Sequence, residues 1–321
     1  MPLIRSASLR LLGALISIVG VVWLVFLAVR VAPGDPVDVL LGERATAVER
    51  ATLRRQMHLD GDLWQQAGGW IAELADGDLG TSITARGRPV AVSTLLAEAA
   101  PPTVRLATAA IAVGLLLSLL LGTWAALDRS GAGDLVGRAW AVVATSTPIF
   151  VTGPLALLIG AVALPWLPSP AHPDAGGDSA AGLWLPALVL GAALSGRMSR
   201  LLRTRLRHEL GQGPARALLL RGLSPTRTVV AHLWPNALLP LLPALAHQLG
   251  GLLGGALVCE AVFGRPGVGT LLVEAVFARD PALVQGVTIA LAAGYAALLA
   301  TVDMAVALLD PRTRATTLEA T

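Results

Sequence analysis

Six stretches of the chain stay apolar for the roughly 20 residues that a helix needs to cross a bilayer. They are Leu11–Val31, Thr103–Leu127, Ala139–Leu164, Leu183–Leu202, Ala237–Phe263 and Leu283–Leu309, and they predict six membrane helices. The uncharged core of the fourth ends at Arg197. Arg197 and Arg200 are long enough to snorkel to the interface while the helix continues into water. The first stretch follows Arg5 and Arg10, as the core of a signal peptide would. It is longer than the roughly 7–15 apolar residues of such a core and no small-x-small cleavage site follows, so it reads as a retained helix.

The polar intervals carry patterns of their own. Within the long segment 33–102, Thr46–Leu59 is built of strong helix formers, and Leu63–Leu74 sets Trp64, Trp70, Ile71 and Leu74 at helical spacing. These helices form either a cap on the outer surface or a docking platform for an extracytoplasmic partner. The interval Pro165–Pro186 is rich in turn residues and reads as irregular. The break between the fourth and fifth spans, 200–240, is different. Arg200, Arg203 and Arg207 share one helical face, and Gly211–Gly213 interrupts it. Pro214 suits the first turn of a short helix, Ala215–Arg221, which stops at Gly222 as its C′ residue. Ser224 then caps a further helix that starts at Pro225 and runs until Pro235. The segment is a folded elbow, on which Leu218, Leu219, Leu220 and Leu223 make an apolar knob of the kind that marks a protein contact.

Composition and charge narrow the class. Of 321 residues 55% are hydrophobic and 14% charged, too little polar surface for a soluble domain. With the N-terminus inside, the inner segments hold fourteen arginines and the two short outer loops hold two, which places both termini in the cytosol. All 24 basic residues are arginine. Without lysine the phosphate-binding loop G-x-x-x-x-G-K-[ST] cannot be built, so any driving nucleotide sits on a partner. Cys259 stands alone and forms no internal disulfide, and the five histidines show no metal-ligand spacing. The arginines lie beside the spans, which points to membrane lipid and not to nucleic acid. No nucleophile–base pair or paired carboxylates suggest an enzyme. Neither inverted repeats nor midplane-broken helices, the marks of a stand-alone secondary transporter, are visible. A scaffold without transport would leave the caps of the elbow unexplained.

Six short motifs recur in one order: Val31-Ala32-Pro33-Gly34-Asp35-Pro36, Gly77-Asp78-Leu79-Gly80-Thr81-Ser82, Ser146-Thr147-Pro148-Ile149-Phe150, Glu260 to Gly269, Val284-Gln285-Gly286 and Leu309-Asp310-Pro311-Arg312. The elbow adds Arg216-Ala217-Leu218-Leu219-Leu220-Arg221-Gly222-Leu223-Ser224, His232 and Asn236-Ala237-Leu238-Leu239-Pro240. Together they resemble ABC importer permeases of the oligopeptide/dipeptide/nickel branch over nearly the whole chain. The elbow is similar to that family's coupling motif, E-A-A-x-x-x-G-x(9)-I-x-L-P.

The resemblance implies an all-α polytopic protein of the inner membrane, with six transmembrane helices and a cytoplasmic coupling elbow between helices 4 and 5. Its parts would be an N-terminal helix (1–32), an extracytoplasmic helical segment (33–102), a five-helix permease core (103–314, including the elbow 200–240) and a cytoplasmic tail (315–321). It implies a permease subunit importing dipeptides or oligopeptides, or alternatively nickel or another metal chelate. The implied partners are a second homologous permease, two ATP-binding subunits that carry the ATP and Mg, and an extracytoplasmic substrate-binding protein. No cofactor is implied in this chain. The elbow residues Arg216, Ala217, Leu218, Leu219, Leu220, Arg221, Gly222 and Leu223 would contact the ATPase; lipid headgroups are the other reading for Arg216 and Arg221. Ionisable groups within spans are functional candidates. Glu260, with Phe263, Pro266 and Gly267, is either a gate or the satisfier of backbone amides in its turn. His247 and Gln248 face an interior or the second permease, Arg105 snorkels and Asp303 pairs with a neighbour. Gly250, Gly251, Gly254 and Gly255 permit close helix packing. The elbow departs from the branch by Leu218-Leu219-Leu220 in place of an alanine-rich run and by Gly213-Pro214 in place of an acidic–aromatic pair, which implies a dedicated ATPase pair.

Overall fold

Where water is absent every backbone amide must find its acceptor within the segment, and the apolar runs accordingly close into helices. The computed structural model describes residues 2–31, 37, 41, 46–56, 61–128, 130–163 and 180–309. In chain order its elements are α1 (Pro2–Val31), α2 (Ala47–Gln56), α3 (Leu63–Ala75), the strands β1 (Thr81–Ser82) and β2 (Val90–Ala91), α4 (Val92–Leu127), α5 (Ala132–Ser146), α6 (Ile149–Leu157, continued by a π-helical turn Leu158–Ala163), α7 (Ala180–Gly211), α8 (Gly213–Leu220), α9 (Pro225–Phe263), α10 (Val268–Phe277) and α11 (Pro281–Leu309). β1 and β2 pair antiparallel, Thr81 opposite Ala91 and Ser82 opposite Val90. Among the described residues α4, α9 and α11 are each long and apolar enough to cross a membrane alone, and α5 with α6 makes a fourth if the pair is one span.

Several boundaries differ from the apolar pattern. The third stretch is not one rod: α5 and α6 meet at 106°. Thr147 is extended at φ −95°, ψ 118°, and Pro148 at φ −65°, ψ 150°. Proline disfavours helical geometry in the residue before it and offers no N–H, so the helix stops and restarts. One broken helix is therefore present where hydropathy reads continuously. At Pro235 the opposite holds, and α9 does not stop. A π-helical turn, Val229–Leu233, and a 3-10 turn, Leu239–Leu241, shift the hydrogen-bond register around Pro235, Pro240 and Pro243, so the missing donors cost no break. α7 starts at Ala180 and carries Pro186 inside it, so 165–179 of the expected irregular interval lie outside the described residues. α4 starts at Val92 and not at Thr103. The helices expected around Thr46–Leu59 and Leu63–Leu74 are α2 and α3. A capping box opens α2: Thr46 N–H donates to Glu49 Oε2 at 2.8 Å, and Glu49 N–H to Thr46 Oγ1 at 3.3 Å. The Thr46 amide, together with the Thr46 hydroxyl that also donates to Glu49 Oε2 at 2.8 Å, holds the exposed Glu49 carboxyl below its usual range. The Pro33–Pro36 motif, Asp310–Arg312 and the tail 315–321 lie outside the described residues.

The chain divides into two compact units. One joins Met1–Pro101 with Gly267–Ala297, around a core of Val92, Leu95, Val268, Ala275, Leu283 and Val287. The other comprises Pro102–Pro266 and Leu298–Thr321. In the second unit α4, α7 and α9 pack through Leu106, Leu190, Met198, Ala256 and Phe263. Glycine lets α4 and α7 approach closely: a Cβ added to Gly191 would lie 2.9 Å from the Ala110 carbonyl oxygen. Of the four glycines in α9, Gly255 meets Ile149 and Leu190, whereas Gly251 and Gly254 face open space.

Candidate functional site

α8 stands between two stops. Gln212 N–H donates to the Glu209 carbonyl at 3.0 Å, and the Gln212 carbonyl accepts from Arg216 N–H at 3.2 Å, which closes α7 and starts α8. At the far end Arg221 N–H reaches the Ala217 carbonyl (3.1 Å) and Leu223 N–H the Leu218 carbonyl (3.3 Å), a Schellman-type cap. Gly222 supplies its φ of +83°, and a Cβ there would meet nothing within 4 Å, so the backbone angle alone asks for glycine. Ser224 Oγ accepts from Arg227 N–H at 3.3 Å, with Pro225 the first residue of α9. Ala215 is the anchor, buried among Leu202, Leu206, Val229 and Leu233. Arg216, Ala217, Arg221 and Gly222 are exposed, Leu218 and Leu223 half-buried, and Leu220 is 88% exposed. The side chain of Leu219 lies outside the described residues.

The basic face of α7 is partly engaged. Asp134, buried at the start of α5, pairs with Arg203, with Arg207 Nη2 at 3.6 Å and with Arg138 Nη2 at 2.8 Å. Arg207 Nη2 also donates to the Ala125 carbonyl at 2.9 Å, near the end of α4, where a cation complements the helix dipole. Beside it Asp128 accepts from Gly133 N–H at 2.6 Å, which with bonds from Ser130 holds its carboxyl below the usual range. These contacts tie α4, α5 and α7 together next to the elbow. Sequence reasoning misses Asp134; the one local hint is its i,i+4 spacing from Arg138.

The polar groups within the spans divide. Gln248 Oε1 accepts from Arg197 Nη1 at 2.9 Å, linking α9 to α7, while His247 is exposed. Glu260 is buried, as is Arg265. The amides of the turn that follows go to main-chain carbonyls, Arg265 N–H to Glu260 O at 2.9 Å and Gly264 N–H to Ala261 O at 3.4 Å. Phe263 is committed to the core. Pro266 is exposed and Gly267 buried with extended backbone. Arg105 is exposed; the Asp303 side chain lies outside the described residues. Among the described residues no group of three His, Cys, Asp or Glu stands close enough to hold a metal.

Two of the sequence motifs meet in the first unit. Asp280, fully buried, accepts from Ser82 Oγ and from Thr84 Oγ1, each at 2.7 Å. Its other oxygen accepts from Leu283 N–H at 3.0 Å and so caps α11. Gly286, in the Val284-Gln285-Gly286 motif, lies against Val92 and Leu79; an added Cβ would come 3.1 Å from the Leu79 carbonyl oxygen. The Gly77–Ser82 motif and the start of α11 are therefore one clamp.

The profile of the family described as binding-protein-dependent transport system inner membrane component matches residues 118–315. The chain is 35% identical over 305 residues to the glutathione transport system permease protein GsiC of Salmonella choleraesuis, covering 95% of this chain and 97% of that one. A Brucella ovis protein named provisionally as a peptide permease is 31% identical over 321 residues, 98% of this chain and 100% of the other. The crystal structure of an amino acid ABC transporter with histidines aligns with a TM-score of 0.48 at 18% identity, covering 68% of this chain and 94% of that chain.

Proposed function

The chain belongs to the inner-membrane components of binding-protein-dependent transport systems, and from that premise we propose that it is one permease of an ATP-driven importer for short peptides. The names of the relatives support the cargo class, since glutathione is a tripeptide and the Brucella ovis protein is named for peptides. A binding protein delivers the cargo, a second permease completes the pathway, and two ATPases hold ATP and Mg beneath the elbow. Both termini lie on the ATPase side.

One observation carries the mechanical part: α8 is closed by caps at both ends, anchored by Ala215, and offers Leu220 outward at 88% exposure. A short helix with fixed ends passes on rigid-body motion, whereas a slack loop absorbs it. Leu220 gives an apolar contact and Arg216 and Arg221 a basic rim, so the ATPase groove that receives them is apolar with acidic margins.

The test is reconstitution with both permeases, the ATPases and the binding protein in proteoliposomes. Uptake of a labelled tripeptide should require ATP, and a Leu220→Cys chain should crosslink to an ATPase subunit. Peptide uptake by this chain alone without ATP would overturn the reading. Uptake of a nickel chelate with no peptide uptake would move the cargo to metals.

A further inference from the structure

α3 has two faces with different uses. Its inner face grips the end of α1: the Trp70 ring stacks on Phe26 at 5.4 Å and Gln66 Oε1 accepts from Arg30 Nε at 2.8 Å, while Trp64, at the margin between the two faces, meets Trp23 edge-on at 5.9 Å. Arg30 also lies over the Phe26 ring at 4.6 Å. The opposite face is exposed yet carries no charge. Trp64 is 76% exposed and Ile71 41%, and Gly68, Ala72 and Ala75 complete it, with Gln65 its one polar side chain. The neighbouring α2 shows what a water-facing helix of this segment looks like, with Glu49, Thr52, Arg54 and Arg55 exposed.

Depth identifies what covers the uncharged face. α1 is apolar from Ile16 to Val31 and turns Ile16, Leu24 and Leu27 outward, 62%, 68% and 44% exposed, as a lipid-facing helix does. The three residues that hold α3 span Trp23 to Arg30, roughly the last 10 Å of that helix at about 1.5 Å per residue. That is the depth of the bilayer interface, the zone that tryptophan favours and where an amphipathic helix lies with its apolar side in the acyl boundary.

We propose that α3 is an interfacial helix whose face of Trp64, Gly68, Ile71, Ala72 and Ala75 rests in the lipid of the leaflet on its side. The face is continuous with the lipid-facing surface of α1 and is not a landing place for a protein. The proposal rests on α1 crossing the membrane.

Cys259 is the one cysteine of the chain and is buried, so introduced thiols take a nitroxide label selectively within it. Trp64→Cys, Gly68→Cys and Ile71→Cys would be labelled, with Glu49→Cys as the water-facing reference, and the full chain reconstituted in phosphatidylcholine–phosphatidylglycerol vesicles. Gly68→Cys guards against misfolding, because an added Cβ there has nothing within 4 Å. Collision of each label with oxygen and with a water-soluble nickel chelate is then compared. Labels at 64, 68 and 71 should favour oxygen several-fold, and the label at 49 should favour the nickel chelate. Nickel-dominated collision at 64, 68 and 71 would overturn the proposal. So would protection of these positions that appears only on adding the binding protein, which would make the face a protein contact.

Discussion

The elbow and the Asp280 clamp use polar residues in opposite ways. Around α8, from Gln212 to Arg227, the hydrogen bonds described above join residues within five positions of each other, and Arg216, Ala217, Leu220 and Arg221 stay outside. In the clamp, Ser82 and Asp280 are 198 positions apart and both fully buried. The carboxylate of Asp280 is spent on its own fold, whereas the side chains of α8 are held in place but left unused. A segment stabilised by its own backbone can present side chains to another molecule; one stabilised by side chains cannot. The contrast separates exposed side chains from a structural lock among residues that look equally motif-like in sequence.

The largest effect should come from breaking the clamp. Asp280→Ala removes the acceptor for two hydroxyls and a helix-start amide in a buried site, at a cost of at least about 3 kcal/mol. Less monodisperse chain should survive heating in detergent; unchanged survival would mean that the clamp contributes little. Next comes Gly222→Val, which must hold φ near +83° at about 1–2 kcal/mol of local cost. The chain should still accumulate while ATP-driven uptake falls about tenfold, and Gly222→Asn, which tolerates that angle, should keep most of it. Equal loss in both variants would point to something other than backbone geometry. Smallest in stability is Leu220→Ser, within about 0.5 kcal/mol because the side chain touches little. It should nevertheless lower uptake and ATPase co-purification several-fold, and full activity would remove Leu220 from the contact.

What could be read from the sequence follows the same division. Gly222, Ser224 and Pro225 announce the stops of the elbow because capping needs only a few consecutive residues. The Thr46–Glu49 box that begins α2 is equally local. The clamp could not be read, since nothing near Ser82 indicates that its acceptor is Asp280. Asp134 is hidden for the same reason: Arg203 reaches it only after α5 and α7 pack. Prolines misled in both directions. Pro148 breaks a helix that hydropathy shows as continuous, and Pro235 fails to break one, because π and 3-10 turns on either side absorb the lost donor. Proline marks a missing hydrogen bond, and the surrounding packing decides whether the helix yields.

The course of α9 has a mechanical consequence. Its irregular turns and three prolines lie between Val229 and Pro243, so compliance is concentrated near the elbow. The rest, Leu242–Phe263, is 22 residues of regular helix, roughly 33 Å long. It is a lever arm with its pivot at one end. A swing of about 10° at Leu241 displaces Phe263 by about 6 Å, at the stated rise per residue. Any small angular change beside α8 would thereby be enlarged at the end of the helix that carries Glu260.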